Sequence, residues 1–264
     1  AIREMRFMCM VLVEYGVPQR QHGALLGGQG FGRHARGFLV EARAVLHLAR
    51  AGWIRWSDRL PGPPARRSRK SPLALRVILD DGSGLEITEA GTRKSLAVYV
   101  VREPTQVEGI ARLGPDPLQP AFTTAVLAEI LAEAGGAQLK GVLRSQARIA
   151  GIGNAYSDEI LHAARLSPFK PANGLNEDEL QGLYDAIRAT LEAAISRSLG
   201  LAASELKGEK KANLAVHGRT GEACPVCGTT IAEVSFADSS LQYCPKCQTG
   251  GKLLADRRRS RFLK

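Results

Sequence analysis

Cys224, Cys227, Cys244 and Cys247 are four of the five cysteines in this 264-residue chain, and they form two C-x2-C pairs separated by sixteen residues. One tight turn can present two thiolates, and two such turns facing each other make a tetrahedral sulfur cage for a zinc ion. Pro225 and Pro245 stiffen the two turns, and Gly228 stands where a thiolate turn needs a positive φ. Two disulfides are the alternative, and a basic chain with no secretion signal argues against them. An iron–sulfur cluster is a further alternative, but nothing else in the chain suggests redox chemistry. With four thiolate ligands a zinc site is closed, so the ion folds a module and does no chemistry itself. Cys9 lies far from the pairs and reads as an ordinary buried thiol.

A second constellation is Gly151-Ile152-Gly153-Asn154, two glycines just ahead of a helix start. Glycines let the backbone come close to a ligand, Asn154 can cap the helix, and free N–H groups at a positive helix end suit a phosphate. Lys140 upstream is a second phosphate candidate. Spacing alone is equally compatible with a tight loop and a capping asparagine. After the cysteines, the tail carries Lys252, Arg257, Arg258, Arg259, Arg261 and Lys264 against one acid, Asp256. Such a run is either a solvated terminus or a phosphate-facing surface.

The elements that must position these groups fall into two halves. Residues 73–79, 96–101 and 45–56 read as strands, and "DDGSG" at 80–84 is a turn leading into "LEIT". Residues 60–72 form a Pro-rich basic loop, and "GPDPLQP" at 114–120 reads as a linker. From 121 the apolar residues recur at helical spacing, stopping at Gly135-Gly136. Further helices start at Asn154 and at Asn176, where Asn176-Glu177-Asp178-Glu179 resembles a capping box. Between the cysteine pairs, "TTIAEVSF" and "SLQYC" read as a hairpin turning at Asp238-Ser239-Ser240. The formal net charge of +10 points to a polyanion partner, nucleic acid first and an anionic membrane surface second. No apolar run reaches the ~18–20 residues of a membrane helix, so the expectation is a cytoplasmic protein. The chain begins at Ala1 and not at a methionine, which reads as a processed form or a fragment.

The segment 139–172 is similar to the helix–two-turn–helix (H2TH) of the formamidopyrimidine-DNA glycosylase and endonuclease VIII family. The family pattern "GxGNxYxxEIL" followed by a "SP" turn stands here as "GIGNAYSDEIL" and "LSPFKPA". "HGRTGEAC" at 217–224 resembles the family's lead-in to a C-terminal zinc finger, "RLGPDPL" its interdomain linker and "HLARAGW" its inner strand. The resemblance covers residues 45–264.

The resemblance implies an α+β multidomain protein. Its parts would be an N-terminal β-sandwich-like domain at 1–113 (atypical over 1–44), a linker at 114–120, a helical H2TH domain at 121–218, and a zinc finger with basic tail at 219–264. It implies a bifunctional DNA glycosylase and abasic-site lyase of base-excision repair, with one structural zinc and damaged double-stranded DNA as partner, bound by a monomer. Flipping the damaged base costs a few kcal/mol of stacking, and an inserted side chain fills the gap. Asn154, Gly153, Lys140, Arg219 and Arg258 are the expected DNA contacts, and Cys224, Cys227, Cys244 and Cys247 the zinc ligands. Arg50 is either the inserted wedge or a plain phosphate contact. Three departures stand out. The family's N-terminal Pro-Glu is absent from the opening "AIREM"; Arg36 in "RHARGFL" falls near the family's catalytic lysine; and the finger tip "ADSSLQ" lacks the family's arginine. The alternative function is therefore a damaged-DNA-binding protein on the same scaffold without chemistry.

Overall fold

A computed structural model describes residues 5–7, 10–14, 43–48, 52–61, 71–89, 94–198, 212–236 and 239–255, the first two segments by their backbone. The chain divides into two units, Ala1–Ala111 and Arg112–Lys264. Among the described residues no helix is long and apolar enough to cross a membrane.

The first unit carries two antiparallel sheets. Strands β1 (Met5–Phe7), β2 (Met10–Glu14), β3 (Arg43–His47) and β7 (Ala97–Val101) form one in that order. Strands β4 (Gly52–Ser57), β6 (Gly84–Glu89) and β5 (Leu73–Ile78) form the other, with β6 central. The sequence expectation of one strand over 45–56 is corrected: this stretch is two strands in different sheets. The reason is local. A Cβ on Gly52 would stand 2.2 Å from the Leu48 carbonyl oxygen, so only glycine allows the chain to fold back that tightly. In the second sheet Arg55 and Arg76 both lie opposite Glu86, which places two guanidiniums on one carboxylate.

The second unit is helical, then zinc-finger-like. Helix α1 (Glu108–Ala111) closes the first unit; α2 (Thr124–Ala134), α3 (Leu139–Arg144), α4 (Asn154–Ala163) and α5 (Glu177–Ser198) follow in the second. Apolar periodicity marks no element between Gly136 and Asn154, and α3 stands at the start of 139–172, the segment that the resemblance reads as a helix–two-turn–helix. Six residues are too few to show a helical period, and α3 exists because Leu139, Val142 and Leu143 are buried. Thr123 caps α2 by accepting from Val126 N–H. The capping box of α5 forms as the spacing implies: Asn176 Oδ1 accepts Glu179 N–H at 2.8 Å, and Glu179 Oε2 accepts Asn176 N–H at 3.0 Å. Leu127, Leu139, Leu143, Ile160, Leu161 and Ile187 sit in one core shared by these helices. Each such side chain contributes about 1.5–3 kcal/mol by leaving water. That burial holds α4, which at ten residues is too short to persist alone. Residues 114–120 are tied into this unit: Gly114 N–H donates to the Gln146 carbonyl at 2.8 Å, and Ala150 N–H to the Pro115 carbonyl at 3.0 Å.

The chain ends in a hairpin of β8 (Ala232–Ser235) and β9 (Ser240–Tyr243), then a short helix α6 (Pro245–Thr249). Val234, Leu241 and Tyr243 of the hairpin pack against Phe169 from the turn that follows α4.

Candidate nucleic-acid interface and metal centre

Helix α4 starts from a braced turn. Gly151 has φ 85°, a left-handed conformation that glycine adopts without strain. Gln146 grips the turn at both ends, its Oε1 accepting Gly151 N–H at 2.9 Å and its Nε2 donating to the Ile152 carbonyl at 2.7 Å. Gly153 is the extended residue before the helix, and its carbonyl accepts Ser157 N–H at 2.9 Å. Asn154 is thus the first helical residue and not the cap that its type suggested. Its side chain instead reaches 86 residues along the chain, Nδ2 donating to the Ser240 carbonyl of β9 at 2.9 Å. Among the described residues, Asn154 Oδ1 is the buried side-chain polar atom without a hydrogen-bond partner. The first-turn N–H groups of an α-helix have no acceptor within it, and they carry the positive end of its dipole. This end of α4 can therefore hold an anion.

The expectation that Lys140 contacts phosphate is corrected. Its side chain is 6% exposed, and all three ammonium hydrogens have internal acceptors: Asp158 Oδ1 at 2.5 Å, Ser157 Oγ at 3.0 Å and the Asn154 carbonyl at 3.2 Å. Burial pushes its pKa below the usual lysine value, and the Asp158 charge pushes back. Lys140 supports the start of α4 from beneath. Asp158, fully buried, is the hub. Its second oxygen faces His217 Nδ1 at 2.8 Å and accepts Gln242 N–H at 3.3 Å.

Further contacts from three residues fasten the finger and its lead-in to α4 and to the turn that follows it. Glu159 accepts the backbone N–H groups of Ala215 (2.6 Å), Val216 (3.0 Å) and His217 (2.8 Å). His162 Nε2 lies 3.3 Å from Cys224 Sγ, and burial lowers the pKa of this imidazole. Gln248 of α6 donates to the Leu166 carbonyl at 3.0 Å while accepting Cys244 N–H at 2.8 Å. Asn154, Asp158 and His162 are spaced i, i+4, i+8, which puts them on one face of α4. That face is where the finger seats. Arg219, expected at DNA, keeps a side chain that is 31% exposed. It pairs with Glu222 at 2.7 Å and donates to the carbonyls of Leu214 and Ala215, so it braces the lead-in to the finger.

The four cysteines converge. All four Sγ atoms lie within 4.8 Å of one another, with Cys224 and Cys247 at 3.9 Å and Cys227 and Cys244 at 3.3 Å. A tetrahedral site with Zn–S near 2.3 Å has sulfurs about 3.8 Å apart, so the donor set fits zinc. These separations are far beyond a bonded S–S distance of about 2.05 Å, which removes the disulfide alternative. Gly228 has φ 72°, and its N–H closes the first turn on the Cys224 carbonyl. Cys227 is lowered to about 6, first by its hydrogen bond to Thr229, whereas burial raises Cys244 and Cys247. Without metal the thiols hold part of their protons; binding zinc drives those off.

Arg36, Arg50 and Arg258 lie outside the described residues. Gln146, Asp158, Glu159 and His162 are the residues that sequence reasoning missed. The available signal was an acid pair and a histidine inside a short helix flanked by Ala155, Ile160 and Leu161, a pattern with no face left for water.

Residues 113–204 match the formamidopyrimidine-DNA glycosylase H2TH domain, and residues 221–250 match the zinc finger found in FPG and IleRS. The four cysteines of this chain hold a structural zinc ion. A protein of Mycobacterium tuberculosis named "Uncharacterized formamidopyrimidine-DNA glycosylase-like protein" is 57% identical over 152 residues, covering 58% of this chain and 94% of that one. The formamidopyrimidine-DNA glycosylase of Roseiflexus is 33% identical over 228 residues, covering 82% of each. The crystal structure of the Lactococcus lactis enzyme (Fpg or MutM), bound non-covalently to DNA containing an AP site, superposes with a TM-score of 0.65 at 29% identity. It covers 79% of this chain and 75% of that one.

Proposed function

The chain belongs to the formamidopyrimidine-DNA glycosylase and endonuclease VIII family, and on that premise we propose that it is a base-excision-repair glycosylase with abasic-site lyase activity on damaged bases in duplex DNA. The supporting observation is the Asn154–Ser240 bond. It joins the anion-binding end of α4 to the finger hairpin, so both present to a duplex as one surface. Asn154 and Gly153 take a phosphate on this reading; Arg36, Arg50 and Arg258 are assigned to DNA on the resemblance alone.

The experiment uses a duplex with one abasic site. In a lyase an amine of the protein bonds to C1′ of the opened sugar with loss of water, and borohydride reduces that imine to a stable covalent adduct. Adduct formation supports the lyase. Tight binding without adduct supports the second reading, a damaged-DNA-binding protein on the same scaffold. Asn154→Ala removes a hydrogen bond to a charged group, worth about 1.5–3 kcal/mol, or a roughly 10- to 150-fold loss of affinity. The loss is uniform across sequences, because phosphate contacts do not read bases. Unchanged affinity in Asn154→Ala refutes the phosphate assignment.

A further inference from the structure

His162 takes no part in the DNA reading, yet it is 6% exposed and sits against a metal ligand that is itself 3% exposed. Its Nε2 approaches Cys224 Sγ at 3.3 Å from a helix that precedes the cysteine by 62 residues. A zinc-bound thiolate carries no proton, so the hydrogen in this contact belongs to the imidazole. Four thiolates and one Zn2+ leave the cage with two surplus negative charges. A donor aimed at one sulfur from a poorly solvated site withdraws part of that charge, where no water can do the same. The other end of α4 lies eight residues away, about 12 Å along the axis, and it is the end to which the proposed function assigns a phosphate.

We propose that His162 is a positioning residue of the zinc centre: its Nε2–H donates to the Cys224 thiolate, stabilises the charged cage and fixes the cage in register with α4. Metal retention then depends on a helix that supplies no ligand.

The test compares His162→Phe and His162→Leu, which remove the donor, with His162→Gln, which keeps an N–H of similar reach. All are made in the full chain. The first measurement is the rate of zinc release to a chromogenic chelator. Loss of an outer-shell partner weakens metal holding by about 10–100-fold, so both apolar variants are expected to release zinc faster by that order. The glutamine variant is expected to stay close to the native rate. The second measurement is the thiolate-to-metal charge-transfer band of the cobalt(II)-substituted protein. A hydrogen bond lowers the sulfur lone-pair energy, so the band moves to longer wavelength in the apolar variants and returns in the glutamine variant. A packing role alone leaves this band in place. A native release rate in either apolar variant overturns the proposal. So does a glutamine variant that takes up no zinc or loses it as fast as the apolar pair.

Discussion

Replacing Asp158 by asparagine keeps the volume of the side chain and removes its charge. The native carboxylate accepts at both oxygens, one facing Lys140 Nζ at 2.5 Å and the other facing His217 Nδ1 and Gln242 N–H. An amide has one acceptor and one donor, so one side of the hub must face a like group. If the NH2 faces Lys140, a nearly buried ammonium is left with two neutral acceptors. If it faces Gln242, a backbone N–H is orphaned. Breaking a buried ion pair at one partner costs about 3–5 kcal/mol, and an orphaned N–H about 1–3 kcal/mol. Urea unfolding is the assay, read by circular dichroism at 222 nm. Both tryptophans, Trp53 and Trp56, lie in the first unit, whereas the long helices that dominate the 222 nm signal lie in the second. With a slope near 2 kcal/mol per molar urea, the midpoint is expected to fall by about 1.5–2.5 M. Lys140→Met in the Asp158→Asn background should restore part of the loss, because it removes the stranded charge. The double-mutant cycle should show a coupling of about 2 kcal/mol or more. Additivity within about 0.5 kcal/mol would refute the hub.

Two other perturbations read different parts of the molecule. The Arg55 and Arg76 guanidiniums hold the Glu86 carboxyl below the usual glutamate range, against desolvation. A carboxylate depressed on folding contributes stability in full above its unfolded value, and the contribution is lost as pH falls through the folded one. Tryptophan-monitored melting of the native protein should therefore drop more steeply below pH 4.5 than that of Glu86→Gln, and parallel curves would refute the pairing. Arg165 has φ 55° where α4 closes, with Leu166 N–H bonded to the Leu161 carbonyl at 2.9 Å. A side chain in this region costs about 1 kcal/mol, so Arg165→Gly should raise the 222 nm midpoint by an equivalent of about 0.5–1 kcal/mol. A fall would show that the guanidinium makes contacts that outweigh the strain.

What the sequence disclosed was what short spacing controls. The thiolate turns, the capping box at Asn176 and the glycine turn before α4 each lie within a few residues of chain, and each stands where its pattern put it. The split of 45–56 was hidden because strand propensity runs through both halves, and the close approach of Gly52 to the Leu48 carbonyl leaves no mark in propensity. Lys140 was misread for a different reason. A cation in a basic chain suggests phosphate, but direction is set by acids met in folding, here the buried Asp158. The partners that Asn154, Asp158, Glu159 and His162 find in the finger and its lead-in lie 56 to 86 residues downstream, a range at which no local pattern operates.

The seating of the finger on α4 also sets what could be moved to another scaffold. Excising the cysteine knot alone would strip Gln242, His217 and Cys224 of acceptors or donors that belong to α4, and would uncover Val234, Leu241 and Tyr243 where Phe169 now lies. The smallest transferable cassette runs from Arg112, where the second unit begins and α2 is kept in the shared core, to Leu254, whose N–H closes on the Tyr243 hydroxyl. Chimeras cut inside that span should express as metal-poor, aggregation-prone protein, and those cut at its edges should carry their zinc with them.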